Sequence, residues 1–370
     1  MESSLHVYPQ SVDSRYGKLL PDPADPVNDR IYEQLHHVPI GYSNKSNIKI
    51  KTIYLHGGKN QWFIEEGRDF FFTTGCKVNH CSFTYNRQEG RTADVVVFGN
   101  PYQLPFRPPW PRKSQKQIWM MSALETPPHT TSMRKYIGHF NWTMSYRTDS
   151  IIVSPYFKYE AFPEKKVLPY KNHAAGKKKK VAWFVTNCFN VESGRMEYAK
   201  ELQKYIDIDI FGGCGTKRCR KSEWDKCRQM VQRDYKFYLA FENSKCKDYL
   251  TEKVQTGLLY DAIPIVLGAA TWEYANALPA HSYIDVEDFK SPKHLAEYLQ
   301  KLDENDDLFN EYFRWKSYGT FVETKPWCRV CSMVHDESFP TIWYDNVDSW
   351  WHAKSACIKK DTHWWYNVVD

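Results

Sequence analysis

Residues 237–268 read FYLAFENSKCKDYLTEKVQTGLLYDAIPIVLG. Lys236 to Phe241 is an apolar, aromatic run of strand length, Glu242 to Asp248 is a polar turn, an apolar-periodic segment runs to about Tyr260, and Ile263 to Leu267 reads as a second buried strand. Strand, helix and strand within roughly thirty residues is the size of a βαβ unit, and such units deliver loop residues to ligands at the carboxyl ends of their strands. The polar residues fall at that end: Glu242, Asn243 and Ser244 close the first strand, and Glu252 and Lys253 occupy the first turn of the helix. Backbone N–H groups and the helix dipole favour an anion there, and a diphosphate suits the place.

Outward from this window the pattern repeats. On the carboxyl side, Thr271 to Leu278 reads as short and irregular, Ser282 to Val286 as a strand, and Ser291–Leu302 and Asp306–Trp315 as helices. On the amino side, Val181 to Thr186 is a strand followed by a helix from about Gly194 to Tyr205, and Ile206 to Phe211 is a further strand before a helix over Ser222–Asp234. Arg195 opens the 194–205 helix, where a guanidinium can grip a diphosphate through two parallel hydrogen bonds. The stretch 158–180 loses periodicity and carries prolines and lysines, which marks a linker.

Before the linker lies a second series of strands. Lys49–Leu55, Ala93–Phe98 and Gln117–Ser122 read as strands of an open α/β sheet, and Arg68–Thr73 as an aromatic, extended segment. Lys49–Leu55 alternates, while Ala93–Phe98 and Gln117–Ser122 are continuous apolar runs of the kind that suits strands covered on both faces. Glu125 follows the 117–122 strand directly and precedes Pro127-Pro128, so a stiff loop would hold a carboxylate at the strand end, where it can act as a general base. His129 reads either as a partner that orients Glu125 or as a structural histidine. Arg147 and Asp149 read as an internal ion pair.

Composition narrows the function classes. The chain has 370 residues, 42% of them hydrophobic, which is enough for two cored domains. The net charge of +6 is partly the local run Lys177–Lys180, and no zinc-finger, RNA-recognition or Walker pattern accompanies it, so nucleic acid is not an expected partner. The 14 Trp and 25 Tyr are mostly core material by this reading, with faces that also suit sugar rings. Ten cysteines, among them Cys76, Cys81, Cys328 and Cys331, point to disulfides in an oxidising compartment. Connectivity is open, since Cys76 and Cys81 can pair with each other or with Cys328 and Cys331. The sequons Asn44-Lys45-Ser46 and Asn141-Trp142-Thr143 are compatible with secretory passage. Met1 to Arg30 holds no apolar run long enough for a signal or a membrane span, so the expectation is a catalytic region without its anchor, or a form that never had one.

Together, FENS (241–244), DYLTEK (248–253) and IPIVLG (263–268) resemble the donor-binding signature of the α1,3/4-fucosyltransferases, glycosyltransferase family 10. WMMSALETPPHT (119–130), FNWTMSYRTDS (140–150), VTNCFNVESGRMEY (185–198) and the stretch 282–316 carry the likeness over about 49–331. The resemblance implies an α/β chain of GT-B fold, two Rossmann-like domains facing a cleft. Its expected boundaries are a polar lead over 1–47, an acceptor-binding domain over 48–160, a linker over 161–180, a donor-binding domain over 181–325 and a cysteine- and tryptophan-bearing tail over 326–370. It implies Glu125 as general base and Arg195, Asn243, Tyr249, Glu252 and Lys253 around GDP-fucose, with no cofactor or metal required and metal stimulation left open.

The implied reaction inverts GDP-β-L-fucose onto O3 of an N-acetylglucosamine, carried by an N-glycan or glycoprotein in the Golgi lumen. KIKTIYLHGGKNQWFIEEGRDFF (49–71), CGTKRC (214–219) and WCRVC (327–331) look most like the invertebrate enzymes that modify the innermost N-acetylglucosamine. An outer-arm, Lewis-type enzyme is the alternative, and an inactive glycan-binding protein is the alternative of another class.

Overall fold

The computed structural model describes residues 5–8, 14–22, 29–44, 47–99, 104–105, 108–111, 116–189 and 191–358. They divide into two compact units, Met1–Pro155 with Thr324–Ala356, and Tyr156–Glu323 with the segment from Cys357. The first is built on six parallel strands, β1 (Lys51–His56), β2 (Cys81–Thr84), β3 (Val95–Gly99), β4 (Ile118–Ala123), β5 (Trp142–Ser145) and β6 (Ile152–Val153), in the spatial order β2-β1-β3-β4-β5-β6. The second has β7 (Lys179–Phe184), β8 (Ile208–Phe211), β9 (Tyr235–Phe241), β10 (Ile263–Leu267) and β11 (Ile284–Asp285), also parallel, in the order β8-β7-β9-β10-β11.

The central strands of the second unit are mostly apolar because both sheet faces are covered. Trp183, Phe237, Leu239 and Phe241 enter one core cluster, with Tyr198 and Leu202, while Ala182, Phe184, Tyr238 and Ala240 enter the other, with Val254 and Leu258. All seven residues of β9 are buried, and burying each large side chain stabilises the fold by about 1.5–3 kcal/mol. The helix Glu252–Leu259 returns the chain from β9 to β10, as read from the sequence, and Thr251 caps it by accepting from the Lys253 amide. Gly257 faces Pro264 so closely that a Cβ would lie 2.8 Å from the ring.

Several segments differ from their sequence reading. Asp69–Thr73 is a short helix, not an extended run. Its aromatic content favours a strand, but Gly75 at φ 68° supplies the left-handed residue that closes a helix, and Phe71 stacks inward on Phe83 at 4.8 Å. Thr271–Ala277 is a helix as well, because the Glu273 carboxylate turns back to accept from the Ala270 amide at 2.8 Å. The polar lead contains the short helix that its sequence suggests around Asp29 to His36, here Arg30–His36, and what the sequence did not show is that Arg30 and Gln34 are buried. Gln34 donates to Leu19 and Ile151 carbonyls and accepts from Arg329, which also donates to Val153 and Thr324.

The ten cysteines form five disulfides, Cys76–Cys328, Cys81–Cys331, Cys188–Cys214, Cys219–Cys227 and Cys246–Cys357. Cys328 and Cys331 therefore tie the helix Pro326–His335 to the loop before β2 and to β2 itself. Asn141 is buried, its Oδ1 accepting from the Trp119 amide and its Nδ2 donating to the Ile342 carbonyl, so that sequon serves the fold. Lys45 and Ser46 of the other sequon, and Trp364 and Trp365, lie outside the described residues.

Candidate active site

Site chemistry gathers where β9 ends. Phe241 and Glu242 are fully buried, and the loop after β7 is sewn onto the backbone that follows them. Ser193 Oγ donates to the Glu242 carbonyl at 2.7 Å, the Glu192 and Ser193 amides donate to the Asn243 carbonyl, and Arg195 donates to the Phe241 carbonyl at 3.1 Å and to the Asn187 carbonyl at 2.8 Å. Arg195 begins the helix Arg195–Leu202 and is 4% exposed. Burial lowers its pKa from the usual arginine value, and Glu242 works against that shift. Two polar atoms here are buried without a partner among the described residues, Arg195 Nε and Asn243 Oδ1. One is a donor and one an acceptor, and leaving such groups unmet costs about 1–3 kcal/mol each, so they fit a ligand that supplies the complementary atoms.

Lys253 lies in the same corner. Its Nζ donates to Glu242 Oε2 at 2.9 Å and to Thr251 Oγ1 at 2.7 Å, with Glu252 Oε1 at 3.4 Å. Burial opposes its charge, but Glu242 and Glu252 outweigh that, and its pKa stands above the ordinary lysine value. Glu252 is 44% exposed in the first helical turn, open to a ligand. Tyr249 is buried, its ring 6.2 Å from that of Tyr156. The structure thus brings Arg195, Asn243, Tyr249, Glu252 and Lys253 to one strand end, beside the loop that the Cys246–Cys357 disulfide fixes.

In the first unit, Glu125 follows β4 after one residue, as read from the sequence, and precedes a 3-10 turn over Pro127–His129. Its side chain is half-buried and makes no hydrogen bond or ion pair with the described residues. A carboxylate on a stiff loop at a strand end, with its lone pairs unclaimed, is suited to accept a proton from a bound hydroxyl. His129 does not bond to it. The His129 Nε2 is buried and has no partner among the described residues, so neither an orienting bond to Glu125 nor a fully bonded structural ring is seen there. Arg147 and Asp149 do form the internal pair, at 2.9 and 2.5 Å, and Trp350 covers the guanidinium at 4.2 Å.

The residue that sequence reasoning placed without assigning it a role is Glu242. Its Oε1 accepts from both the amide and the hydroxyl of Thr251, at 2.9 and 2.8 Å, while Oε2 holds Lys253. Burial pushes its pKa up and Lys253 pulls it back. Gly268, at φ 145°, makes room for it, since a Cβ there would lie 2.6 Å from Glu242 Cβ. The available signal was a carboxylate within an otherwise apolar strand end.

Residues 49–157 match the family model "Fucosyltransferase, N-terminal", and residues 174–350 match "Glycosyltransferase family 10 (fucosyltransferase) C-term". The chain belongs to glycosyltransferase family 10. It is 44% identical over 349 residues to glycoprotein 3-alpha-L-fucosyltransferase A of Drosophila melanogaster, covering 93% of this chain and 68% of that one. With the 4-galactosyl-N-acetylglucosaminide 3-alpha-L-fucosyltransferase FUT6 of Homo sapiens it shares 36% over 269 residues, 70% of this chain and 72% of the other. A crystal structure of an α1,3-fucosyltransferase with GDP-fucose superposes with a TM-score of 0.52 at 13% identity, over 85% of this chain and 98% of that one, a likeness of fold. This family member is a GDP-fucose-dependent α1,3-fucosyltransferase with the α/β, GT-B fold, and its acceptor is a glycan. Among the described residues no helix is long and apolar enough to cross a membrane.

Proposed function

We propose that the enzyme transfers L-fucose from GDP-β-L-fucose to O3 of the innermost N-acetylglucosamine of N-glycans, with inversion, in the Golgi lumen. The identity to the Drosophila glycoprotein fucosyltransferase, over nearly the whole chain, supports the core acceptor, and the five disulfides suit an oxidising lumen. An outer-arm acceptor is the second reading, favoured by the human relative whose name specifies a galactosyl-N-acetylglucosaminide.

In this mechanism Glu125 takes the proton of the acceptor hydroxyl, whose oxygen bonds to C1 of fucose as the C1–O bond to GDP breaks. The departing electron pair stays on the β-phosphate oxygen. Arg195 and Lys253 meet that growing negative charge, an arrangement effective because it is fixed in place before the reaction. Glu252 accepts from ribose hydroxyls, and Asn243 and Tyr249 contact the donor near its phosphates or sugar. The observation that carries the donor site is the pair of unmet buried atoms, Arg195 Nε and Asn243 Oδ1, beside Lys253.

The test is transfer of labelled fucose to a defined core N-glycopeptide and to N-acetyllactosamine, by wild type, Glu125→Gln and Lys253→Ala, each verified as folded. Product on the innermost N-acetylglucosamine, reduced about 10²–10⁴-fold in Glu125→Gln, is the expected result. Product on N-acetyllactosamine alone selects the outer-arm reading. GDP-fucose binding without transfer to either acceptor makes the chain a glycan-binding protein.

A further inference from the structure

Glu242 has no route to a ligand: it is fully buried, and its two carboxylate oxygens are taken by Thr251 and Lys253. A buried, ionised carboxylate is costly unless it is paired and hydrogen-bonded, and this one is met by an amide, a hydroxyl and an ammonium. The strand that leads into it also presents a carbonyl to the other cation, since Arg195 donates to Phe241 O, and the Glu242 carbonyl accepts from the Ser193 hydroxyl. Gly268 leaves the space it fills, and the Glu242 amide is bonded to the Leu267 carbonyl at 2.8 Å, so β9 and β10 fix its position from two sides.

Consider Lys253 without it. The ammonium sits on a flexible four-carbon stem with only 19% of the side chain exposed, so burial favours the neutral amine and the stem has several rotamers. The groups facing it are Glu242 just after β9, Glu252 from its own helix and Arg195 from the start of the helix Arg195–Leu202. Tyr238 and Tyr274 lie in the field of Glu242, and Tyr249 in that of Arg195. Glu252 is partly solvated at 3.4 Å and Arg195 repels the ammonium. Among these groups, Glu242 is the buried carboxylate in direct contact.

We propose that Glu242 is the positioning residue of the donor site, a permanent internal counter-ion that keeps Lys253 charged and aimed before GDP-fucose arrives. It acts through Lys253 and touches neither donor nor acceptor. The inference rests on the reading of Lys253 as a diphosphate ligand.

The experiment measures kcat, KM for GDP-fucose and GDP affinity against pH for the full chain as wild type, Glu242→Gln, Glu242→Asp, Lys253→Ala and the double variant Glu242→Gln/Lys253→Ala. Glu242→Gln is expected to lower kcat at least ~10-fold at neutral pH. It should also bring an alkaline loss of rate into about pH 8–10, where wild type is level, because burial then governs the lysine. Glu242→Asp keeps the charge and should keep the wild-type pH profile at an intermediate kcat.

In the Lys253→Ala background the Glu242 substitution should cost nothing further, as two residues acting as a unit are not additive. Additive losses, or a Glu242→Gln enzyme with wild-type kcat and a level alkaline limb, overturn the proposal. Tighter GDP binding at unchanged kcat overturns it too, since Glu242 is then a competitor for Lys253. If Glu242→Gln does not fold, the double variant, with neither charge buried alone, and Glu242→Asp supply the same comparison. If Lys253→Ala itself keeps full GDP affinity and rate, the donor-site reading of Lys253 fails and the proposal falls with it, an outcome distinct from additive losses, which overturn the role of Glu242 alone.

Discussion

The two units share a doubly wound parallel sheet and differ in how they hold charge at its carboxyl end. In the second, Lys253, Glu242 and Thr251 form a closed set of bonds at the end of β9, next to Arg195 on the Phe241 carbonyl, and two buried atoms there, Arg195 Nε and Asn243 Oδ1, have no partner among the described residues. In the first, Glu125 stands after β4 on a proline-stiffened loop and bonds to no described residue. The difference fits the proposed chemistry. A site that meets the charge of a departing diphosphate works best when its dipoles and cations are fixed beforehand. A base must leave its lone pairs open for a proton that comes with the substrate.

The widest separation between the units is expected in kinetics. Glu125→Gln should cut kcat about 10²–10⁴-fold while GDP affinity, read by calorimetry, stays at the wild-type value. Arg195→Ala should lower both, with transfer reduced about 10²–10³-fold and GDP binding weakened. Equal losses of GDP affinity in the two variants would break the comparison, because the carboxylate would then belong to the donor site.

Stability should divide along the same line. Cys76–Cys328 and Cys81–Cys331 each close a loop of about 250 residues, with sequence separations of 252 and 250, and both lie in the first unit. Replacing Cys81 and Cys331 together with Ser should destabilise the protein by about 2–5 kcal/mol in a denaturant titration. GDP affinity, measured below the transition, should change little. Gly268→Ala should do the reverse in kind: a loss of about 1–3 kcal/mol, together with weaker GDP binding, because the new methyl displaces Glu242. A Gly268→Ala protein with unaltered GDP affinity would show that the seat of Glu242 does not matter to the donor site.

The sequence made the sheets legible and the charge network only in part. Ile263–Leu267 is the predicted strand residue for residue, and Lys236–Phe241 and the helix after it differ from the structure by one position, because apolar periodicity and turn residues report local structure. Asp69–Thr73 was misread because three consecutive phenylalanines satisfy a strand pattern, whereas the helix depends on how Gly75 and Cys76 close it. The buried role of the lead, through Arg30 and Gln34, needs Arg329, which lies far along the chain and gives no local signal. Glu242 is the same case at the site. Its residue type was visible in FENS, but its isolation from solvent depends on Gly268 and Thr251 arriving from other elements.

The smallest expected effect tests whether buried acids of the second unit are set apart by partners alone. Asp285, at the end of β11, is buried with bonds from Thr271 Oγ1 and the Glu287 amide but no described cation in contact, and burial lifts its pKa to about 6. Glu242 is also lifted by burial, yet Lys253 opposes the shift. An acid whose folded pKa is raised binds more protons when folded, so its contribution falls as pH rises from the unfolded value, near 4, through about 6. Wild-type stability should therefore carry a decline of about 1–2 kcal/mol over that window which Asp285→Asn lacks, read from urea midpoints at several pH values. A decline that persists unchanged in Asp285→Asn would assign it to another group and leave the pairing of Glu242 as the feature that distinguishes the donor site from its surroundings.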